Sequence, residues 1–215
     1  DITACDYYTW PIDGLTYTQS GTYSYTSTPN IGDYYQGGVV FYLDSQGGGL
    51  IADTSDLANA KWGCMGQVLN GADGISMGDG KQNTNDIISS CQENNIAALL
   101  CANSTNQGYT DWYLPSKDEL HAMYSNRALI EEQGDFFANG TYWSSSEVDG
   151  NYAYFVSFSS GSQNTVIKQT LTNVRAIRSF SSPDSSSFGL CDSIILNLTI
   201  LESSSGNSSV TSCDS

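Results

Sequence analysis

The sequence predicts an α+β domain inserted into a small all-β repeat, and three observations carry that reading. The two ends of the chain repeat each other. Ile2-Thr3-Ala4-Cys5-Asp6 and Val210-Thr211-Ser212-Cys213-Asp214 both run β-branched, Thr, small, Cys, Asp. The flanks then alternate with period two, whereas the middle passes through two apolar strands, a set of helices and a second set of strands. A chain whose end restarts its beginning is the mark of a tandem array. Residues 1–30 and 181–209 are therefore read as one split repeat, 31–180 as the insert and 210–215 as the start of the next repeat. The chain is expected to be a piece of a longer protein.

Each element has a local reason. Thr16-Tyr17-Thr18, Gly21-Thr22-Tyr23-Ser24-Tyr25-Thr26 and Ile194 to Ile200 alternate in the manner of half-buried strands. In the insert, Gly37 to Asp44 reads as a buried strand. It pairs with Gly48 to Asp53 as a hairpin through Ser45-Gln46-Gly47. A Gly/Asp/Asn-rich loop follows from Gly63 to Asn85. Helices are predicted from about Asn83 to Cys91 and from about Ile96 to Cys101. Ser116 with Glu119 three residues on forms a capping box for a further helix that carries Leu120, Met123 and Tyr124 on one face. Thr141 to Ser144, Ala153 to Phe158 and Val174 to Phe180 return to period two and read as strands. Trp112, Leu114, Trp143 and Phe180 are core candidates. Arg175 and Arg178, two of three arginines in the chain, are expected to pair with helix carboxylates such as Asp118 or Glu119.

Charge and cysteine usage bound the class. Lys and Arg number 7 against 23 Asp and Glu, a formal charge of −16. That surface repels nucleic acid and anionic lipid and makes both poor partners; no nucleic acid and no direct membrane insertion are expected. It also serves simply to keep an exported protein soluble. There are six cysteines, without a CxxC pair, and a single histidine, His121. Disulfides in an oxidising compartment explain them better than zinc does. No apolar run reaches transmembrane length. A secreted, cell-surface location is expected.

Two resemblances follow from particular motifs. Thr3 to Trp10, Ser20 to Tyr23, Cys191 to Ser193 and Leu196 to Ile200 resemble the Cys-containing repeats of giant surface adhesins in gliding bacteria. The departure is that some 150 residues, 31–180, separate the two halves. Gly108-Tyr109-Thr110-Asp111-Trp112-Tyr113-Leu114-Pro115-Ser116-Lys117-Asp118-Glu119-Leu120 is similar to the core signature of the Lcl C-terminal domain family. Tyr142 to Glu147 and Val174 to Phe180 are similar to its two closing signatures, and Trp62-Gly63-Cys64 and Asn83-Thr84 to shorter ones. The resemblance implies a C-type-lectin-like fold for the insert, related to formylglycine-generating enzymes. It also implies company among adhesins, collagen-like surface proteins and the variable receptors of diversity-generating retroelements.

The cysteines are then assigned. Cys5 and Cys191 occupy matching places in the split repeat and are expected to pair. Cys64 in its loop and Cys91 at a helix end are expected to form the second bridge. Cys101, in an apolar helix, is expected free and buried. Cys213 is expected to lack a partner within the chain.

A binding module is the functional expectation, and an enzyme is not. Formylglycine-generating relatives use paired cysteines late in the domain, and other relatives use three histidines. Residues 102–180 contain no cysteine, and His121 has no companion. An oxidoreductase of that type is the alternative from another class, and a hypervariable receptor domain is the alternative within binding proteins. Ligand contact is placed on residues 147–173, the segment between the closing signatures. Tyr154, Val156 and Phe158 are read as its inward face. Glu147, Asp149, Asn151, Tyr152, Phe155, Ser157, Gln163, Asn164 and Gln169 are the ligand-binding candidates, because Tyr, Ser, Asn and Gln suit adaptable surfaces. A surface glycan or protein ligand is expected, with neighbouring repeats of the same chain as further partners. No cofactor is expected. The Asp73 to Asp86 loop is where a structural Ca2+ would sit, although it lacks EF-hand spacing. The binding face is expected far from the junctions near Asn30 and Ser181, with the first and last strands, near Gly37 and Val174, as close neighbours.

Overall fold

The structure is a computed structural model and describes residues 1–5, 7–9, 16–26, 29–133, 137, 140–181 and 193–201. The chain divides into two compact units, residues 1–28 with 183–215 and residues 29–182. In chain order the strands begin with β1 (Ile2–Cys5), β2 (Tyr8–Thr9), β3 (Thr16–Tyr17) and β4 (Gly21–Thr26). Next come β5 (Tyr34–Tyr35), β6 (Gly38–Leu43), β7 (Gly49–Asp53) and β8 (Leu57–Ala60). Four helices follow: α1 (Gly80–Ser90), α2 (Ala97–Ala102), α3 (Lys117–Ser125) and α4 (Arg127–Glu131). The chain returns to strands with β9 (Thr141–Glu147), β10 (Tyr152–Ser157), β11 (Gln163–Ile167), β12 (Thr172–Val174), β13 (Ile177–Phe180) and β14 (Ser193–Leu201). The content is α+β, with strands in the majority.

In the first unit β14 lies between β1, which it meets in parallel, and β4, which it meets antiparallel. The ladder runs from Ser193 opposite Thr26 to Leu198 opposite Gly21. A two-stranded ribbon of β2 and β3 accompanies this sheet. Leu198 is buried, and Ile2, Ala4, Tyr8 and Tyr17 pack on it. The first and last thirds of the repeat thus share one sheet. Cys191 and Cys213 lie outside the described residues, and with them the expected Cys5–Cys191 bridge and the role of Cys213.

The second unit is built on two sheets. One runs β13-β7-β6-β5 and the other β11-β10-β9-β12-β8. The predicted hairpin is β6 and β7, closed by Asp44, whose Oδ1 accepts the N–H of Gln46 at 2.7 Å and of Gly48 at 2.9 Å. Gly49 faces the Tyr42 carbonyl and the Phe180 ring so closely that a Cβ would collide with both. The segment read as one strand from Val174 to Phe180 is two. Val174 ends β12 in the five-stranded sheet, and Ile177 begins β13 in the four-stranded one. Between them Arg175 and Ala176 are fully buried, or nearly so. The first long strand β6 and the last strand β13 are therefore not paired. β7 lies between them, and Tyr35 and Phe180 meet edge-on at 5.1 Å.

The α3 cap is as predicted. Ser116 Oγ accepts the Glu119 N–H, and the Glu119 carboxylate accepts the Ser116 N–H at 2.7 Å. Leu120 and Met123 are buried, and Tyr124 is half-buried against Phe158 at 5.5 Å. Asp118 pairs with Lys117, so neither Asp118 nor Glu119 holds an arginine. Arg178 instead grips Asp111 with Nε at 2.8 Å and Nη2 at 3.0 Å, and donates to the Gln36 carbonyl. Arg175 donates from Nε to Asp56 at 2.7 Å and from Nη1 to the Asp53 carbonyl at 2.8 Å. Both arginines serve the fold, but through loop carboxylates rather than helical ones. Cys64 and Cys91 are bridged, and Cys101 is a free, buried cysteine.

Candidate ligand-binding surface

Strand β10 decides which of the expected contact residues can reach a ligand. Its neighbours β9 and β11 fix the register: Phe155 stands opposite Trp143, and Val156 opposite Tyr142. Trp143, Ala153 and Phe155 belong to one apolar cluster. Tyr142, Val156 and Phe158 belong to a second. The sheet is thus packed on both faces here, and an outward face of β10 hardly exists. Phe155 is half-buried against the first cluster. Ser157 is buried, with its hydroxyl on Ser159 at 2.9 Å and its N–H on the Ser162 carbonyl. Neither is a free contact residue. Tyr154, read as inward, is only half-buried, and the Lys117 ammonium sits 5.5 Å from its ring centre. A register shift between Ala153 and Phe155 breaks the strict alternation on which the inward and outward faces were assigned.

Glu147 is also interior. Both its oxygens accept the Leu69 N–H at 3.0 Å, and it forms a buried ion pair with Lys168. The Lys168 ammonium also donates to the Gln67 carbonyl at 3.0 Å and lies 4.5 Å from the Trp62 ring centre. Burying two charges is tolerable only with such a full set of partners. The pair fastens three segments together: the 64–72 loop, the end of β9 and the turn after β11.

The remaining candidates are exposed. Asp149, Asn151, Tyr152, Gln163, Asn164 and Gln169 all face solvent. Asp149 shapes the β9–β10 turn, its Oδ1 accepting the N–H of Asn151 at 2.7 Å and of Tyr152 at 2.9 Å. The Asn151 carbonyl in turn accepts the Lys168 N–H at 2.9 Å. Gly66 donates to the Gly150 carbonyl at 2.6 Å, and a Cβ at Gly150 would lie in ordinary contact with the backbone of Gly66 and Gln67. These bonds join residues 65–68, 148–152 and 167–171 into one continuous surface.

That surface is apolar to a degree the sequence reading missed. Val68 is 73% exposed, Leu171 68%, Met65 48%, Ile167 44%, Val148 43% and Tyr152 41%. Single exposed apolar residues are ordinary, but these six lie on backbone segments that the bonds above hold together, which makes them candidates for one contact surface. Met65 and Val68 escaped notice because they lie about eighty residues upstream of Val148 and Tyr152, and long-range bonds such as Gly66 to Gly150 and Leu69 to Glu147 bring them there. A cleft of about 260 Å3 beside the four-stranded sheet is lined by Tyr42, Asp44, Leu50, Met77 and Phe180, and no expected contact residue enters it.

The expected calcium loop is held by its own hydrogen bonds. Asp79 accepts the Ser76 N–H at 2.8 Å, and Asp86 accepts the Gln82 amide. Among the described residues no three His, Cys, Asp or Glu side chains form a group that could hold a metal ion. Among them, too, no helix is long and apolar enough to cross a membrane.

The sequence profile of the Lcl C-terminal domain matches residues 57–178, more than half of the chain. The chain belongs to the Lcl C-terminal domain family. The matched stretch runs from the start of β8 to the middle of β13 and carries the whole of the patch. Its three long motifs sit at structural posts of this domain: Trp112 and Leu114 in the core, Ser116 and Glu119 at the α3 cap, Trp143 between the sheets and Arg178 on Asp111. No curated protein sequence matches the chain.

Proposed function

We propose that this chain is an extracellular ligand-binding module, serving adhesion, whose contact surface joins residues 147–173 to the 65–68 loop. The observation that supports this best is the apolar patch of Met65, Val68, Val148, Tyr152, Ile167 and Leu171, rimmed by Asp149, Asn151, Gln163 and Gln169. An apolar centre inside a polar rim is the usual build of a recognition surface. The patch rests on rigid supports, the buried ion pair and the disulfide, so little ordering is needed on binding. Its exposed groups are mostly aliphatic and amide side chains, with the Tyr152 ring and the Asp149 carboxylate among them. The split flanking repeat resembles adhesin repeats of gliding bacteria, and the family resemblance points to a C-type-lectin-like insert. Both resemblances support the reading of a module carried on a bacterial surface stalk beside further repeats. The patch lies on the five-stranded sheet, while Tyr34 and Phe180, near the ends of the unit, lie in the other sheet.

Binding of the protein to its producing organism's target cells or matrix is the test. Val68→Ser, Tyr152→Ala and Leu171→Ser combined should reduce binding at least about tenfold, since central apolar groups dominate such interfaces. The melting temperature should stay within a few degrees, because all three side chains face solvent. Wild-type binding by the triple variant would move the site elsewhere.

A further inference from the structure

Strand β11 is an edge of the five-stranded sheet, and among the described residues no strand pairs with its outer side. Its ladder to β10 has a definite phase. Ser157 N–H donates to the Ser162 carbonyl and Lys168 N–H to the Asn151 carbonyl, both at 2.9 Å. Antiparallel bonding alternates along a strand, so Ser162, Asn164, Val166 and Lys168 bond inward. Gln163 and Thr165 then turn both N–H and C=O away from the sheet. Soluble proteins block such edges with Lys, Pro, a bulge or a covering segment. The strand Gln163-Asn164-Thr165-Val166-Ile167 carries no charge and no proline. Lys168, the next residue, cannot guard the edge because its ammonium is buried on Glu147. The opposite edge differs: beyond β8, Lys61 bridges to Ile96, and its carbonyl accepts the Ala97 N–H at 2.9 Å.

We propose that β11 receives an extended segment of a partner protein, which adds a strand to this sheet beside the apolar ridge of Tyr152, Ile167 and Leu171. This rests on the reading that residues 147–173 are the binding face, and it chooses protein over glycan. An extended peptide supplies the backbone donors and acceptors that Gln163 and Thr165 present, and side chains for the exposed groups beside them. Tyr152 and Ile167 are a cross-strand pair at one end of the strand, and Leu171 follows on the next turn. An aliphatic side chain of the guest fits there, and a sugar offers no strand ladder for Gln163 and Thr165. The formal charge of −16 favours a guest with basic flanks.

The probe is the blocked peptide acetyl-Lys-Val-Thr-Val-Thr-Val-Lys-amide, added at millimolar concentration to the full chain. Its counterpart with the central Thr-Val-Thr replaced by three Pro is the control that cannot pair in either register. Hydrogen exchange of single amides, followed by NMR, is the readout. Without peptide, the Gln163 and Thr165 amides should exchange quickly and those of Asn164 and Val166 slowly. With the Thr peptide, Gln163 and Thr165 should slow by about tenfold or more, and with the Pro peptide they should not. Thr165→Pro removes an outward N–H and no bond to β10, so it should fold and lose the slowing at Gln163, whereas Thr165→Val should keep it. If Thr165→Pro fails to fold, the two peptides and Thr165→Val still decide. Failure of the Thr peptide to bind, or binding without slowing at Gln163 and Thr165, overturns strand addition. Either result leaves the binding face itself to the Val68, Tyr152 and Leu171 variant. Slowing that needs no peptide and grows with protein concentration would make a second copy the guest and overturn the partner assignment.

Discussion

Asp53 ends β7 with its carboxylate fully buried. One oxygen accepts the Asn106 side-chain amide at 2.7 Å, and the other has no hydrogen-bond partner. Burial raises its pKa above the ordinary carboxylate range, against the pull of the Asn106 bond and the nearby Arg175 charge. A raised pKa in the folded state means that the fold binds this proton more tightly than the unfolded chain does. The linked stability is therefore fully present below the ordinary Asp pKa and is lost as pH rises through the folded value. Asp53→Asn keeps an acceptor for Asn106 and removes the titration. The stability of Asp53→Asn relative to wild type should rise with pH from about 4 to the raised value and then level off. Urea unfolding over that range checks this, and a flat difference would remove the linkage. Nothing near Asp53 in sequence announces its burial, since Asn106 lies 53 residues away. The same distance hid the arginine partners: Asp56 lies 119 residues from Arg175, and Asp111 67 from Arg178. Ser116 and Glu119 were legible because their bonds close within one helical turn.

Among the elements, those with a strong local pattern were readable and those made by their neighbours were not. The β6–β7 hairpin carries an unbroken apolar run and a glycine turn, and it formed as expected. β8 is only four residues long and β11 is polar and exposed for most of its length, and they exist because β12 and β10 offer them ladders. β10 read as amphipathic, with Tyr154, Val156 and Phe158 inward and Phe155 and Ser157 outward, but the sheet is packed on both faces there and Phe155 and Ser157 are covered too. The 64–72 loop has no regular structure at all. Its start is held by the Cys64–Cys91 bridge and by the Glu93 carboxylate, which accepts the Cys64 N–H at 3.0 Å and pairs with Lys61. Changing both cysteines to alanine should cost about 3–4 kcal/mol on the chain-entropy account of a 27-residue separation. It should also free Met65 and Val68 from the patch, so ligand binding should weaken beyond the loss in stability. Calorimetric unfolding and a binding isotherm at a temperature where both forms are folded separate the two effects. Unchanged affinity would show that the loop holds its place without the bridge.

At the scale of the whole molecule, the chain separates into two bodies because its apolar residues form separate cores. Among the described residues, both large clusters, from Val39 and Val40 to Ile177 and Phe180, draw on residues 29–182. Among them, too, the small cluster around Leu198 draws on the repeat, with Ile2, Ala4, Tyr8 and Tyr17. A unit that owns its core, its disulfide and its buried ion pairs has what independent folding requires. Residues 29–182 produced alone should therefore unfold cooperatively, with a midpoint within about five degrees of the matching transition in the full chain. The fragment should also keep the slow exchange of Asn164 and Val166 and bind the same targets through the patch. In the flanking repeat, β14 runs between β1 and β4 and Leu198 is buried under Ile2, Ala4, Tyr8 and Tyr17. If the excised unit proves molten, or loses more than about 3 kcal/mol against the full chain, then the repeat supplies stability that the two clusters do not account for.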